Sequence, residues 1–245
     1  MLLSRPDIVK HMKKGNIIIE PFKPDNLKTT SYDVTLGDWF FKENRPEGRT
    51  TVHNMYDDAS VALIWSGPHK AISAKELKKH TKLPELKNIG DSEKVILLGP
   101  GETILGHTLE FIGGRNVCVT KMYARSSLGR NFIEVCKDAG WGDIGYFNRW
   151  TMEITNNSQH YSIPLVVGRR IAQIVFYETA PLETATDYAL ESGKYQTSQS
   201  LAELKKTWNP HMMIPRMHLD MEVRQLNRLN SVKKALKIAK KAKTK

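Results

Sequence analysis

The sequence predicts a mainly β fold, a sandwich or barrel built from short strands. Two observations predict it. From residue 95 onward, short β-branched runs recur at 95–98, 103–110, 117–123, 151–155, 163–167 and 171–177, divided by Gly, Asn and Pro. No long helical pattern falls between them, which argues against a parallel α/β sheet.

The remaining segments follow in order. Ser4 as cap, Pro6 in a first turn and Ile8, Val9 and Met12 on one side predict a short helix that Gly15 ends. A strand at 17–19 is closed by Pro21 and Pro24. The stretch 43–90 is polar and irregular, with one helix opened by Ser73 and Glu76 as a capping box. It reads as an insertion, a lid or an oligomer contact. Past Leu201 the pattern becomes helical and then basic.

At 245 residues, 40% of them hydrophobic, the chain suits one large domain, or one domain with an extension. No window supplies the roughly 20 apolar residues of a membrane span. The charged first residues lack the apolar stretch of a secretory signal. Cys118 and Cys136 are too few for a disulfide framework. An intracellular, cytoplasmic protein is therefore expected. The net charge of +11 invites a nucleic-acid reading, but seven lysines lie in 231–245, and 11 − 7 leaves +4 for the body. That tail is expected to be solvated, or else to touch nucleic acid or an acidic partner.

Several chemistries lack their motifs. A zinc deaminase needs paired cysteines, and none of the Cys-x-x-Cys type occurs. Neither a P-loop nor a Gly-x-Ser-x-Gly elbow is present. Polar density peaks instead between Ala124 and Glu153. Arg125-Ser126-Ser127-Leu128-Gly129-Arg130 can offer hydroxyls and guanidiniums to phosphate oxygens, or can be a strand end with surface arginines. Asp143 lies among glycines, as turn formers do. Glu153 sits in a strand, facing outward or into a site.

Taken together, these segments resemble the dCTP deaminase family and its dUTPase relatives. The run Arg125 to Arg130 looks like the family's phosphate-binding signature, and Ala139-Gly140-Trp141-Gly142-Asp143 like the motif of the water-orienting aspartate. Gly168-Arg169-Arg170-Ile171-Ala172-Gln173 is similar to the next motif, and Gly193-Lys194-Tyr195-Gln196 to the segment that closes over bound nucleotide. Leu3-Ser4-Arg5-Pro6-Asp7-Ile8 and Ser31-Tyr32-Asp33-Val34-Thr35-Leu36-Gly37 resemble the deaminase opening.

The resemblance implies a dUTPase-like β-barrel or jelly-roll sandwich at 1–200, with 43–90 inserted, and a helical, basic extension at 201–245. It implies dCTP deamination without zinc. Glu153, ten residues after Asp143, would move the protons, where plain dUTPases have an apolar residue. Ser126 and Arg130 would position water and base, and Asp143 would orient a second water. Arg125, Ser127, Gln173, Tyr188 and Lys194 would hold or flank phosphates, with Leu128, Gly129, Thr151, Met152 and Gln199 also at the substrate. Mg²⁺ would arrive with the triphosphate, and trimers would carry sites between subunits. Ala139-Gly140 matches the members that continue to dUMP and pyrophosphate.

Asp138 stands where Thr is usual, Asn148-Arg149 where a Gly-small pair is, and Ser198 where a late glutamine is expected, so that Gln199 takes its role. The competing readings are a dUTPase that cannot deaminate and a non-catalytic nucleotide- or nucleic-acid-binding regulator.

Overall fold

Pro6 in the first turn and Gly15 beyond the end bound α1 (Arg5–Lys13); Gly15 takes a left-handed φ of 73°. Ser4 occupies the N-cap, but its hydroxyl donates to Asp7 Oδ2 at 2.5 Å and accepts no backbone N–H, so the expected side-chain cap is absent. Ile8 is buried, with Val9 and Met12 packed against the same core. The structure is a computed structural model and describes residues 1–46, 51–81, 83–182, 188, 193–196 and 198–230. The lysine-rich tail at 231–245 lies outside the described residues.

The described residues divide into two compact units. The first joins Met1–Glu43 to Gly67–Met213, and the second joins Asn44–Ser66 to the residues from Ile214 onward. In the first unit, β1 (Ile17–Glu20) pairs antiparallel with β7 (Thr103–Gly114). The latter is the central strand of a sheet ordered β4 (Trp65–Lys70), β3 (Trp39–Glu43), β7, β11 (Phe147–Asn156), β9 (Ile133–Val135). β7 runs past the predicted end at 110 because Gly113 does not turn the chain. A Cβ on Gly113 would overlap the Tyr146 carbonyl and crowd the Phe147 backbone, so the glycine permits a close strand approach.

β7 is buried on both faces, which explains why its sequence shows little alternation. One face sends Ile104 and Ile112 into the main core beside Met152 and Ile154 of β11. The other is covered by the C-terminal helix α5 (Leu201–Thr207), whose Leu204 packs with Phe111 and Phe147 while Trp208 lies alongside. The Arg149 guanidinium stacks 5.1 Å from the Phe111 ring and 4.6 Å from the Trp208 ring.

The second sheet, ordered β10 (Trp141–Gly142), β8 (Cys118–Ala124), β13 (Arg170–Glu178), β2 (Ser31–Thr35), faces the first across a shared core. Tyr32, Val34, Met122, Ile174 and Phe176 fill it from this side. A third sheet joins β12 (Ile163–Val166), β6 (Lys94–Leu98) and β5 (Ile72–Ser73). Its helix α3 (Ala74–His80) opens as predicted, with Ser73 Oγ accepting the Glu76 N–H at 3.1 Å. Ala74, Leu77, Val95 and Val166 form a separate small cluster there. The fold is thus a mainly β sandwich with a few short helices.

In the second unit, α2 (Asp58–Ile64) is capped by Asp57, which accepts the Ala59 N–H at 3.3 Å. Its end is tied by Asn44 N–H to Ile64 O at 2.7 Å. A further helix, α6, covers 221–230. No helix among the described residues is long and apolar enough to cross a membrane.

Candidate active site

β8 ends in the signature run. Arg125 takes the cap position of α4 (Ser126–Gly129), a single helical turn in which Leu128 and Gly129 N–H donate to Arg125 O at 2.9 and 3.1 Å. Leu128 turns inward against the core, while Ser126, Ser127, Gly129 and Arg130 are exposed or half-buried. The turn therefore presents two hydroxyls and the Arg130 guanidinium to solvent.

Beside it, the end of β8 and the start of β13 meet around a buried carboxylate in the middle of β2. Asp33 Oδ2 is 3.0 Å from Arg170 Nη1 and 3.7 Å from Arg125 Nε, and Arg125 Nη1 donates to Arg170 O at 3.4 Å. Gln173 on β13 pairs in register with Asp33 and with Tyr123, which sets it next to this group. A cavity of about 500 Å³ opens here, lined among others by Lys23, Asn26, Arg125, Leu128, Arg169 and Arg170. Asn26 carries a buried amide nitrogen without a hydrogen-bond partner of good geometry; its neighbour is the Tyr32 phenol. Four cations on one concave surface suit an anionic ligand.

The second group gathers on β11. Glu153 is half-buried and paired in register with Leu105. Burial pushes its carboxyl above the ordinary range, partly offset by its own backbone N–H and by the Lys137 ammonium. Thr151, two residues earlier on the strand, is also half-buried. Met152 points the other way, its side chain fully buried in the core.

Between β9 and β10 the chain passes through Cys136, Lys137 and Asp138, all non-glycine residues with left-handed φ of 69°, 39° and 65°. Such consecutive strain, roughly 1–2 kcal/mol per residue, concentrates at functional sites. Burial raises the Cys136 thiol strongly, with Glu153 adding to the effect, so this cysteine is a neutral thiol. Asp138 is exposed and lies 3.4 Å from Lys121.

Asp143 is exposed, and its Oδ1 accepts the Trp141 indole N–H at 2.9 Å. Tyr146 follows, its ring edge-on to Trp150 at 5.2 Å and to Tyr188 at 5.1 Å. Tyr188 N–H donates to Ile144 O at 3.0 Å, and Tyr195 N–H to the Tyr188 hydroxyl at 3.3 Å. Lys194 lies 5.7 Å above the Tyr195 ring. Gln199 is exposed, and its carbonyl accepts from Arg115.

The structure thus assembles two groups: Arg125 and Gln173 around the basic cavity, and Glu153, Tyr188 and Lys194 with Tyr146 on the β10–β11 side. Among the described residues no hydrogen bond or ion pair joins Ser126 or Arg130 to Glu153 or Asp143. The strand β9 intervenes, for α4 packs on it and β11 pairs with it. Asp33, Tyr146 and Gln196 escaped selection as site residues, although all three lie in or beside motifs; a buried acid and a buried amide betray their roles only once burial is known. No group of three or more His, Cys, Asp or Glu among the described residues is placed to hold a metal ion.

The sequence is similar to known proteins over much of its length. The family described as dCTP deaminase-like matches residues 2–179. A dCTP deaminase, dUMP-forming, of Methanococcus aeolicus is 30% identical over 184 residues, covering 73% of this chain and 84% of the relative. The enzyme of the same name from Dictyoglomus thermophilum is 30% identical over 202 residues, covering 81% and 91%. That of Methanocaldococcus jannaschii is 31% identical over 182 residues, covering 72% and 81%. Among solved structures, 2'-deoxycytidine 5'-triphosphate deaminase from Agrobacterium tumefaciens aligns at a TM-score of 0.41 and 18% identity, over 71% of this chain and 46% of that one. With nearly three quarters of its length matched by one family, the chain belongs to the dCTP deaminase-like family.

Proposed function

We propose that this chain deaminates dCTP to dUTP and ammonia without zinc, and then cleaves dUTP to dUMP and pyrophosphate in the same site. The observation that carries the reading is Glu153, a half-buried carboxylate whose affinity for protons burial has raised. A group that must first take a proton and then give it back works best with a pKa moved towards the working pH. Water adds to C4 of cytosine as one of its protons passes through Glu153 to N3; the second, from the C4 hydroxyl, then passes through Glu153 to the amino nitrogen, the C4–N bond breaks, and ammonia leaves the C4 carbonyl and N3–H of uracil. Ser126 and Arg130 position the water and the ring, and Asp143 orients a second water towards the α-phosphate.

The cavity around Arg125 and Arg170 supports the phosphate assignment, with Ser127, Gln173, Tyr188, Lys194 and Gln199 as further contacts and Leu128, Gly129, Thr151 and the Met152 main chain at the nucleoside. The carboxylates beside this cavity are engaged by arginines, Asp33 by Arg170 and Arg125 and Glu93 by Arg169. Mg²⁺ fits here as the counter-ion that the triphosphate brings, neutralising phosphate charge. Because β9 lies between α4 and β11, the complete site is read as formed between copies, Ser126 and Arg130 of one meeting Glu153 of the next in a trimer. The names of the relatives, all dUMP-forming, support the second step. The test is product analysis: dCTP or dUTP is incubated with protein and Mg²⁺, and dUTP, dUMP and pyrophosphate are resolved. Conversion of dUTP alone would leave a dUTPase; conversion of neither would refute the reading.

A further inference from the structure

We infer that Gln196 is a positioning residue that fixes Tyr146 and the C-terminal segment as one unit beside Glu153. The inference rests on the function proposed above. Gln196 is fully buried, although glutamine is costly to bury unless both ends of its amide are satisfied. Here both are: Oε1 accepts the Phe147 N–H at 2.7 Å and Nε2 donates to the Gly145 carbonyl at 2.7 Å. These groups flank Tyr146, so a single side chain grips the backbone on either side of it. At neutral pH a primary amide of this length offers donor and acceptor together, where an ionised glutamate offers only acceptors. Gly145 takes a left-handed φ of 91°, favoured by glycine.

The neighbouring residues extend the grip. Asn148 Nδ2 donates to Tyr195 O at 2.9 Å, Tyr195 N–H reaches the Tyr188 hydroxyl, and the Tyr188 ring meets Tyr146 edge-on, 72° from parallel. The Tyr146 phenol is itself within electrostatic reach of Glu153 and Cys136. Docking of the segment and placement of Tyr146 are therefore one event. The segment carrying Lys194 and the Tyr146 ring thus share one set of contacts beside Glu153. Gln196 touches no reacting atom; it acts through Tyr146 and through the segment it anchors.

The experiment compares wild type, Gln196→Leu and Gln196→Glu with dCTP, reading kcat and KM separately alongside Tm and backbone hydrogen exchange at Tyr146 and Phe147. Gln196→Leu keeps the bulk and loses both hydrogen bonds. It should raise KM and lower kcat, roughly 10-fold or more in kcat/KM, with faster exchange at both amides. In Gln196→Glu, the ionised carboxylate can accept from Phe147 but cannot donate to Gly145, whereas the protonated acid can do both. The deficit of this variant relative to wild type should therefore shrink as pH falls. A lower Tm with unchanged KM and no recovery at low pH would make Gln196 a purely structural residue and overturn the inference. Should Gln196→Leu not fold, the glutamate variant carries the comparison. If wild type fails to deaminate dCTP, the proposed function falls, while faster exchange in Gln196→Leu would still support the latch and unchanged exchange would refute it.

Discussion

The Trp141 indole donates a hydrogen bond to Asp143 Oδ1 at 2.9 Å, although both side chains are exposed. An exposed aromatic that orients a carboxylate two residues away holds one oxygen still and leaves the other for ligand or water. Trp141→Phe keeps the ring and removes the donor. Pyrophosphate release from dUTP should fall roughly 10-fold, the scale of one hydrogen bond to a charged group, while ammonia release from dCTP changes less than about 3-fold. Equal losses in both assays would place the pair outside the dUTP-cleaving step.

The proton-carrying role proposed for Glu153 predicts that Lys137 sets the acid limit of activity. Its ammonium opposes the burial that raises Glu153, and Glu153 must be ionised to accept a proton from water. Lys137→Met should therefore raise the Glu153 pKa further and move the acid limb of kcat/KM to higher pH. Lys137→Arg should leave the limb in place. A pH profile of the methionine variant that overlays wild type would show that the cation does not act on the glutamate.

His107 makes stability depend on pH. Burial holds its imidazole down at about 4, against 6.5 for an exposed histidine. Nδ1 faces Thr108 O at 2.9 Å, and Nε2 accepts the Trp39 N–H at 3.3 Å, a neutral-ring arrangement. The unfolded chain takes up this proton from about 6.5 downward and the folded one only near 4, so stability present above 6.5 is lost as pH falls through that window. Glu110 and Glu153, both raised by burial, act with the opposite sign. The slope of wild type minus His107→Gln in denaturant melts isolates the histidine and should be positive from pH 4 to 6.5.

Gly37 lies against the same ring. A Cβ there would overlap the His107 imidazole, which is wedged near Trp208 at 4.7 Å. Gly37→Ala should destabilise by about 1–3 kcal/mol or more in urea unfolding, as overpacking does. A stability within about 0.5 kcal/mol of wild type would mean that the ring can move aside.

Much of this architecture is legible in the sequence, for physical reasons. Strands such as β12 and β13 announce themselves as β-branched runs between turn residues, and α3 through Ser73 and Glu76. β2 is hidden because all five of its residues are buried, Asp33 included, so no alternation survives. β9 and β10, three and two residues long, are too short to show a period. Glu153 and Asp143 are found through motif spacing, and Glu153 proves to be partly buried and raised. The grip of Gln196 on Gly145 and Phe147 spans some fifty residues of chain, a relation that only the fold supplies.

The central claim is that Glu153 moves the protons of deamination. Glu153→Gln preserves shape and hydrogen bonding but cannot accept the proton of the attacking water. Ammonia release from dCTP under saturating nucleotide should fall by roughly 10²–10⁴-fold or more. Binding of dCTP should persist, and Tm should be unchanged or higher, since a buried charge has been removed. A variant that still converts dCTP at near the wild-type rate would reduce Glu153 to an ordinary strand residue and contradict the account.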